Sequence, residues 1–359
     1  MPTPWKRSAV VVAAVLLALG ARPLSPEPDP VPDSLVLQRF VSEGHAPAAA
    51  LLSASPRSSR FQATGPDIDR ADHFRAGSIT KTFIATVVLQ LGAERRLRLD
   101  DPVARHLPGL LPGPLGRRVT LRALLTHTSG IPDYATAAGP APARPADAVR
   151  SALARPPRPP GSYAYSNTNY ALLGMVVERV TGRSYADETR RRIINPLRLT
   201  GTSFPGARTA LPAPHGRAYD ARGHDVTALD ARHAGAAGEL ISTLDDLNRF
   251  YAALLGGRLL PSPQLRELLD TRPSHGAYGM GVYPVTLSCG ITVWGHNGHI
   301  TGSYVRTAAT TDGRRTLTFR VNTDTLAAGT LPALEPALLE AEFCARPPVD
   351  RPPVDRPPG

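Results

Sequence analysis

A serine and a lysine three residues apart, Ser78 and Lys81, are the side chains in this sequence best suited to perform chemistry. Of the 41 basic residues only two are lysines, and the other one, Lys6, lies near the start of the chain. A desolvated lysine, unlike an arginine, can lose its proton and act as a base. Residues three apart share one face of a helix, so the hydroxyl and the amine can meet. The spacing fits a serine nucleophile with its base, or a capped helix start beside a solvated lysine.

The two ends of the chain differ in composition from the long middle segment. A basic start, a short apolar run and small residues predict a secretory signal peptide over residues 1–22. A proline-rich linker is predicted at residues 23–32, and an Arg-Pro-Pro repeat predicts a disordered tail at residues 346–359. We expect export, cleavage of the signal and release, with an uncleaved anchor as the alternative. Residues 33–345 are numerous enough for one two-lobed domain or two small ones.

The net charge of the chain indicates which classes of molecule it could bind. A charge of +11 is compatible in principle with nucleic acid, an anionic membrane or an anionic cell wall. The arginines are scattered along the chain, and no aromatic residues interleave with them in the manner of a base-stacking surface. We therefore predict no nucleic-acid binding, while association with the cell wall remains an open alternative for an exported protein.

The sequence contains two cysteines, Cys289 and Cys344. In an exported protein such a pair normally closes a disulfide, and two buried thiols are the alternative. The histidines show no His-Glu-x-x-His or other ligand spacing, so the sequence implies no metal and no other cofactor.

Strand-like segments lie near both ends of residues 33–345, and helical patterns lie between them. A hairpin is predicted around residues 48–63, a buried helix after Ser78, and a series of strands over residues 278–322 before a last helix. The pattern at about residues 100–235 predicts helices and loops. We therefore predict an α+β fold, with an antiparallel β-sheet formed from both chain ends, flanked by helices, and an inserted, mostly helical lobe.

Two further motifs turn the serine and lysine into a set: Tyr165-Ser166-Asn167 at a predicted loop-to-helix junction, and His296-Asn297-Gly298 at the end of a predicted strand. Together with Ser78-Ile79-Thr80-Lys81 they resemble, in order and approximate spacing, the three motifs of the serine β-lactamase and penicillin-binding protein superfamily. The similarity is greatest to class C β-lactamases and low-molecular-weight D-alanyl-D-alanine carboxypeptidases, and it spans about residues 33 to 344. The neighbouring stretches that agree with it are residues 74–77, 124–131 and 239–243. The resemblance implies a β-lactamase/transpeptidase-like fold.

The resemblance also implies roles for the motif residues. Ser78 would be the nucleophile, and Lys81 and Tyr165 would share proton transfer, with the acylation base left open between them. Asn167 would donate its amide to a substrate carbonyl and accept from Lys81. His296 stands where many relatives have lysine, and it could donate a hydrogen bond or a charge toward the substrate or the tyrosine.

The strand that carries the third motif would complete the substrate site. Gly298 would let the strand approach a ligand closely, and the backbone amides of Ser78 and His299 would form the oxyanion hole by resemblance. Carboxypeptidase relatives commonly hold a substrate carboxylate with a hydroxyl residue and an arginine, whereas His299 and Tyr283 occupy those places here. A cationic His299 would still bind a carboxylate, and a neutral one would accept esters or amides that lack it.

Each motif residue taken alone also has a structural explanation, as a packed aromatic, a helix cap, a strand histidine or a bulge. His127 and Ser129 are interpreted as turn-forming residues. Taken together, the motifs predict a secreted serine hydrolase that forms an acyl-enzyme at Ser78 and is monomeric. Its expected substrates are peptidoglycan stem peptides, β-lactams or related amides and esters. The alternatives are a penicillin-binding sensor that acylates without turnover, and an esterase.

Overall fold

The computed structural model describes residues 33–136 and 144–344, which form a mixed α+β structure. Its main sheet has six antiparallel strands in the order β2-β1-β8-β7-β6-β5, and β3 pairs with β4 in a separate two-stranded sheet. The strands are β1 (Ala49–Ala54), β2 (Ser59–Thr64), β3 (Phe74–Arg75), β4 (Ile241–Ser242), β5 (Tyr283–Thr286), β6 (Thr292–Ile300), β7 (Ser303–Thr310) and β8 (Thr316–Val321). Because β1 pairs directly with β8, both ends of the described chain complete one sheet, and the predicted fold class is confirmed.

Helices flank this sheet and fill the segment between β3 and β4. They are α1 (Asp33–Ser42), α2 (Thr80–Ala93), α3 (Val103–His106), α4 (Gly113–Arg118), α5 (Leu121–Leu125), α6 (Pro145–Leu153), α7 (Asn167–Thr181), α8 (Tyr185–Thr189), α9 (Asn195–Leu197), α10 (Leu244–Leu255), α11 (Ser262–Leu269) and α12 (Thr330–Cys344). A π-helical turn, Arg190–Ile194, joins α8 to α9. Within the described ranges, no helix combines the length and the apolar character that crossing a bilayer requires. The predicted signal peptide, linker and tail lie outside the described residues.

The central strands β1, β7 and β8 are buried along nearly their whole length, and β7 and β8 carry buried threonine and arginine side chains among their apolar residues. On β7, Val305 belongs to the core that includes α2 and α10, whereas Tyr304 belongs to the core beneath α1 and α12. Successive strand residues point to opposite faces, which is why neighbours along β7 join different cores. On the first of these faces the rings of Phe83 (α2) and Phe250 (α10) stack with centroids 3.7 Å apart.

A disulfide joins Cys289, in the loop between β5 and β6, to Cys344 at the end of α12, as the sequence predicted. The backbone amide of the neighbouring Ser288 donates to Glu340 on α12 over 2.8 Å. Because the bridge closes a loop between residues 55 apart, it restricts the unfolded chain and contributes about 4 kcal/mol in the chain-entropy description. The bond ties the edge of the sheet to the last helix.

Candidate active site

Ser78 lies in a short 3-10 turn, Gly77–Ile79, that runs directly into α2. The first residues of α2, including Lys81, are fully buried, because this helix is covered on all sides by other elements. The predicted spacing brings the two side chains together, with Lys81 Nζ 2.9 Å from Ser78 Oγ. Tyr165, in the loop before α7, reaches the same atom, and its hydroxyl donates to Ser78 Oγ over 2.9 Å. The serine hydroxyl is therefore contacted by both candidate bases.

The contacts of Lys81 define what its amine can do. Nζ also lies 2.8 Å from Asn167 Oδ1 and 2.6 Å from the carbonyl oxygen of Ala237. Burial lowers the pKa of Lys81 to about 7, and the negative charge of Asp133 opposes that shift. A neutral amine has two N–H groups and one lone pair. The two oxygens can take both N–H groups, which leaves the lone pair for the proton of Ser78.

Tyr165 is poised to donate a proton. Burial raises the pKa of its phenol well above the usual value, and the hydrogen bond with Ser78 opposes that shift. Its ring lies beside the amine, with Lys81 Nζ 4.9 Å from the ring centroid. The phenol is therefore protonated at neutral pH, while Lys81 is partly neutral. This difference favours Lys81 as the group that takes the serine proton and Tyr165 as a relay.

Asn167 is the first residue of α7, and its environment only partly matches the prediction. Its Oδ1 accepts from Lys81 as expected, but its amide nitrogen donates to Asp133 Oδ2 over 3.0 Å, so one of its two N–H groups is occupied. The backbone amide of Asn167 donates to Asp133 Oδ1 over 3.1 Å. A carboxylate placed at the start of a helix is stabilised by unpaired amides and by the helix dipole. Asp133 thus fixes the orientation of Asn167 toward Lys81.

Asp133 is a residue of the site that the motifs did not predict. The stretch at residues 124–131 was recognised, and Asp133 follows it by two residues. Its contact with Asn167 crosses 34 residues, so no local spacing rule reveals it.

His296 lies at the site but does not point a free N–H at it. It is buried, and its ring centroid is 6.4 Å from that of Tyr165. Its Nδ1 lies against the carbonyl oxygen of Asn297 and must donate there, which leaves Nε2 to accept from the hydroxyl of Tyr278 over 2.8 Å. Burial and the nearby charge of Lys81 lower the pKa of His296 to about 3. The expected donation of charge by His296 is therefore absent, because its ring is neutral and both nitrogens are engaged.

Strand β6 passes close to the turn that carries Ser78. A Cβ placed on Gly298 would lie 1.9 Å from the carbonyl oxygen of Ala76, and one on Gly77 would lie 2.7 Å from the backbone nitrogen of His299. Both glycines are required for this approach, which brings the amide of His299 alongside the nucleophile turn. The imidazole of His299 is exposed, and its Nε2 donates to the carbonyl oxygen of Asp324 over 2.8 Å. One of the two ring nitrogens of His299 is therefore already bonded to the protein.

His127 supports the site from beneath, in line with its interpretation as a structural residue. It adopts a left-handed backbone conformation with φ 57°. Its Nδ1 accepts from the backbone amide of Ser166 and lies 3.2 Å from the amide nitrogen of Asn169. Its ring centroid lies 4.3 Å from that of Tyr165, so it forms part of the wall that positions the phenol.

Comparisons with known proteins show which family the chain is similar to. The family model described as Beta-lactamase matches residues 36–333. Penicillin-binding protein 4 of Amycolatopsis lactamdurans is 32% identical over 238 residues, which are 61% of this chain and 62% of that protein. PbpX of Bacillus subtilis is 32% identical over 214 residues, 58% of this chain and 53% of that protein. The chain thus spans between half and two thirds of these relatives.

Two solved structures are similar over nearly the whole chain. A D-stereospecific amidohydrolase from Streptomyces sp. has a TM-score of 0.79 and 40% identity, covering 88% of this chain and 100% of that one. The D-amino acid amidase of Ochrobactrum anthropi SV3, complexed with L-phenylalanine amide, has a TM-score of 0.75 and 27% identity, covering 86% and 96%. With the family model matching most of its length and the three motifs assembled around one serine, this chain belongs to the β-lactamase family of serine hydrolases.

Proposed function

We propose that this protein is an exported serine amidohydrolase that transfers an acyl group of D configuration from an amide or ester to Ser78 and then to water. The observation that carries the proposal is the buried, partly neutral amine of Lys81, whose lone pair is available to the hydroxyl of Ser78. The D configuration rests on similarity to the D-stereospecific amidohydrolase and the D-amino acid amidase.

In the proposed acylation, Ser78 Oγ attacks the substrate carbonyl carbon while its proton moves to Lys81 Nζ. The negative oxygen of the tetrahedral intermediate accepts from the backbone amides of Ser78 and His299. The proton then passes from Lys81 by way of the Tyr165 hydroxyl to the leaving amine or alcohol as the bond to it breaks, while Ser78 Oγ stays bonded to the acyl carbon. A water molecule attacks the resulting ester by the same proton route, releasing the acid and restoring the hydroxyl of Ser78.

The surroundings of β6 support amides and esters over substrates with a terminal carboxylate. Arg306, on β7, is fully buried, with its guanidinium carbon 4.3 Å from the ring centroid of Tyr283 and its Nε 3.2 Å from Glu335. It cannot extend to a carboxylate while it is enclosed there. His299, the residue that the sequence offers for binding a carboxylate, already donates Nε2–H to the carbonyl oxygen of Asp324. We therefore place D-amino acid amides and esters ahead of D-alanyl-D-alanine carboxypeptidase substrates.

Export is part of the proposal. It is supported by the predicted signal peptide at residues 1–22 and by the disulfide between Cys289 and Cys344, a bond typical of oxidising compartments. A cell-wall location would bring the enzyme to peptides that contain D-amino acids.

A substrate panel tests the proposal. It would contain D- and L-amino acid amides, a D-alanyl-D-alanine peptide with its C-terminus free or amidated, an ester and a penicillin, each assayed with the wild type and with Ser78→Ala. We expect turnover of D-amides that is absent in Ser78→Ala, and no advantage for the free carboxylate over its amide. A strict requirement for the free carboxylate would instead identify a carboxypeptidase. A stable penicillin adduct by mass spectrometry, with no turnover of any substrate, would identify the sensor alternative.

A further inference from the structure

Thr80 lies between the proposed nucleophile and the proposed base and is fully buried, yet no step of the proposed reaction uses it. It begins α2, and its hydroxyl makes two hydrogen bonds. Oγ1 donates to the carbonyl oxygen of Gly77 over 2.6 Å and accepts from the backbone amide of Leu240 over 3.1 Å. The first is a local bond that a threonine can make to the carbonyl three residues earlier, whereas the second crosses 160 residues. The hydroxyl therefore joins the turn that carries Ser78 to the segment before β4.

The bond to Gly77 sets the direction of the backbone amide of Ser78. The carbonyl of Gly77 and the N–H of Ser78 belong to one planar trans peptide, so they point in opposite directions. Thr80 holds this carbonyl toward the buried start of α2, which turns the N–H of Ser78 away from it. On the same turn, a Cβ on Gly77 would lie 2.7 Å from the backbone nitrogen of His299. Both amides of the proposed oxyanion hole therefore lie beside the peptide that Thr80 holds.

The bond to Leu240 sets the position of the carbonyl that Lys81 contacts. Leu240 is held at both backbone groups, because its carbonyl oxygen also accepts from the amide of Ala76 over 2.7 Å. Three residues earlier, the carbonyl oxygen of Ala237 lies 2.6 Å from Lys81 Nζ. Over so short a span, a shift of Leu240 carries over to Ala237. Thr80 is therefore linked to the base as well as to the nucleophile.

We propose that Thr80 is a positioning residue, which aims the amide of Ser78 at the oxyanion and holds the carbonyl of Ala237 against the base. The inference rests on the proposed function, in which Lys81 takes the proton of Ser78 and the amide of Ser78 binds the oxyanion. Without the hydroxyl, the buried amide of Leu240 has no partner, and the backbone shifts to reduce that cost. The ammonium form of Lys81 then loses a charge-assisted acceptor, so the neutral form is favoured and its pKa falls.

The titration of Lys81 in the whole chain tests the proposal without any substrate. Lysine-specific isotope labelling gives its side-chain signal, which is assigned by its absence in Lys81→Met. In Thr80→Val, which keeps the shape of the side chain, we expect the midpoint to fall by about one pH unit, because one charge-assisted hydrogen bond is lost. Thr80→Ser keeps the hydroxyl and should titrate as the wild type does.

Thr82→Val is the matched control. Thr82 is also a fully buried residue of α2, but its hydroxyl contacts Tyr251 and the carbonyl oxygen of Gly281. Its removal should leave the midpoint of Lys81 unchanged. Thr80→Ala also lacks the hydroxyl, and it repeats the comparison if valine does not fit at this position. A midpoint that does not move in Thr80→Val and Thr80→Ala, or that moves equally in Thr80→Ser or Thr82→Val, would overturn the proposal.

Steady-state hydrolysis of a D-amino acid p-nitroanilide gives a second readout. We expect kcat of Thr80→Val to be about tenfold below that of the wild type with KM nearly unchanged, since the oxyanion forms only after the substrate has bound. The acidic limb of its profile of kcat against pH should also move to lower pH, and Thr80→Ser should restore both. A wild-type kcat in Thr80→Val would contradict the positioning role. No turnover by the wild type would instead contradict the proposed function, and the titration of Lys81 then decides on Thr80 alone.

Discussion

The low pKa of Lys81 has a consequence for stability that can be measured without any substrate. Folding transfers this amine from water, where its pKa is 10.5, to a site where its pKa is about 7. A lowered lysine pKa means that the folded state disfavours the charged form. Above pH 10.5 the amine is neutral in both states and the shift costs nothing. As the pH falls toward 7 the cost grows, and below 7 it is constant at about 5 kcal/mol.

Lys81→Met removes the titrating group and keeps its approximate volume. The variant also loses the hydrogen bonds to Asn167 and Ala237, which lowers stability by an amount that does not depend on pH in this range. Between about pH 9 and about pH 6, the stability of Lys81→Met should therefore rise relative to the wild type by about 3 kcal/mol. The pKa of His296 is about 3 in the folded state, so it stays neutral in both proteins, and the titration of its unfolded form cancels in the comparison.

Urea unfolding of both proteins across this range measures the difference directly. A second readout follows from the composition, because Lys81 is the only lysine after residue 6. Lysine-specific isotope labelling of a chain that begins at residue 33 would give one side-chain signal, which should titrate near pH 7. Parallel stability curves for the two proteins, together with a lysine signal that titrates near 10.5, would refute the assignment of Lys81 as a neutral base.

Three further outcomes follow from the same contacts. Lys81→Arg should lose nearly all acylation of Ser78 while remaining folded, because a guanidinium does not release its proton; normal burst kinetics would contradict the proton-transfer role. Asp133→Asn removes the charge that raises the pKa of Lys81, so the acidic limb of the profile of kcat/KM against pH should move to lower pH. A limb that does not move would show that Asp133 has no effect on the pKa of Lys81. Replacing Cys289 and Cys344 by serine together should lower the free energy of unfolding in urea by about 4 kcal/mol relative to the oxidised wild type, and reductant should lower that of the wild type by about as much.

Local spacing explains which parts of the site could be predicted. Ser78 and Lys81 meet because one helical turn separates them, so their spacing in the sequence is enough to predict the contact. Tyr165 and Asn167 were identified through a motif rather than through spacing. The hydrogen bond of Asp133 to Asn167 and that of Tyr278 to His296 depend on how loops fold over α7 and β6, so periodicity could not reveal them.

The sequence pattern predicted the start of strand β5 incorrectly. A strand was predicted from residue 278 onward, but β5 begins at Tyr283. The backbone amide of Gly279 donates to the carbonyl oxygen of Val282, and Gly281 has φ +77°, so the chain turns here instead of extending. A Cβ on Gly281 would lie 2.9 Å from the carbonyl oxygen of Lys81, so close packing against α2 selects the turn. Helix α1 was missed altogether, although its apolar face lies beneath the sheet.

The protonation states around Ser78 together indicate which groups are neutral before the reaction and where charge forms during it. Before reaction, burial keeps His296 neutral, keeps Tyr165 protonated and makes the neutral form of Lys81 accessible. Proton transfer from Ser78 then creates an ammonium in the same step that creates the oxyanion, so the two new charges arise as a neighbouring pair. Asp133 already favours the ammonium, and a permanently charged residue at position 296 would oppose it. A neutral histidine in place of the lysine of many relatives is therefore consistent with Lys81 as the base.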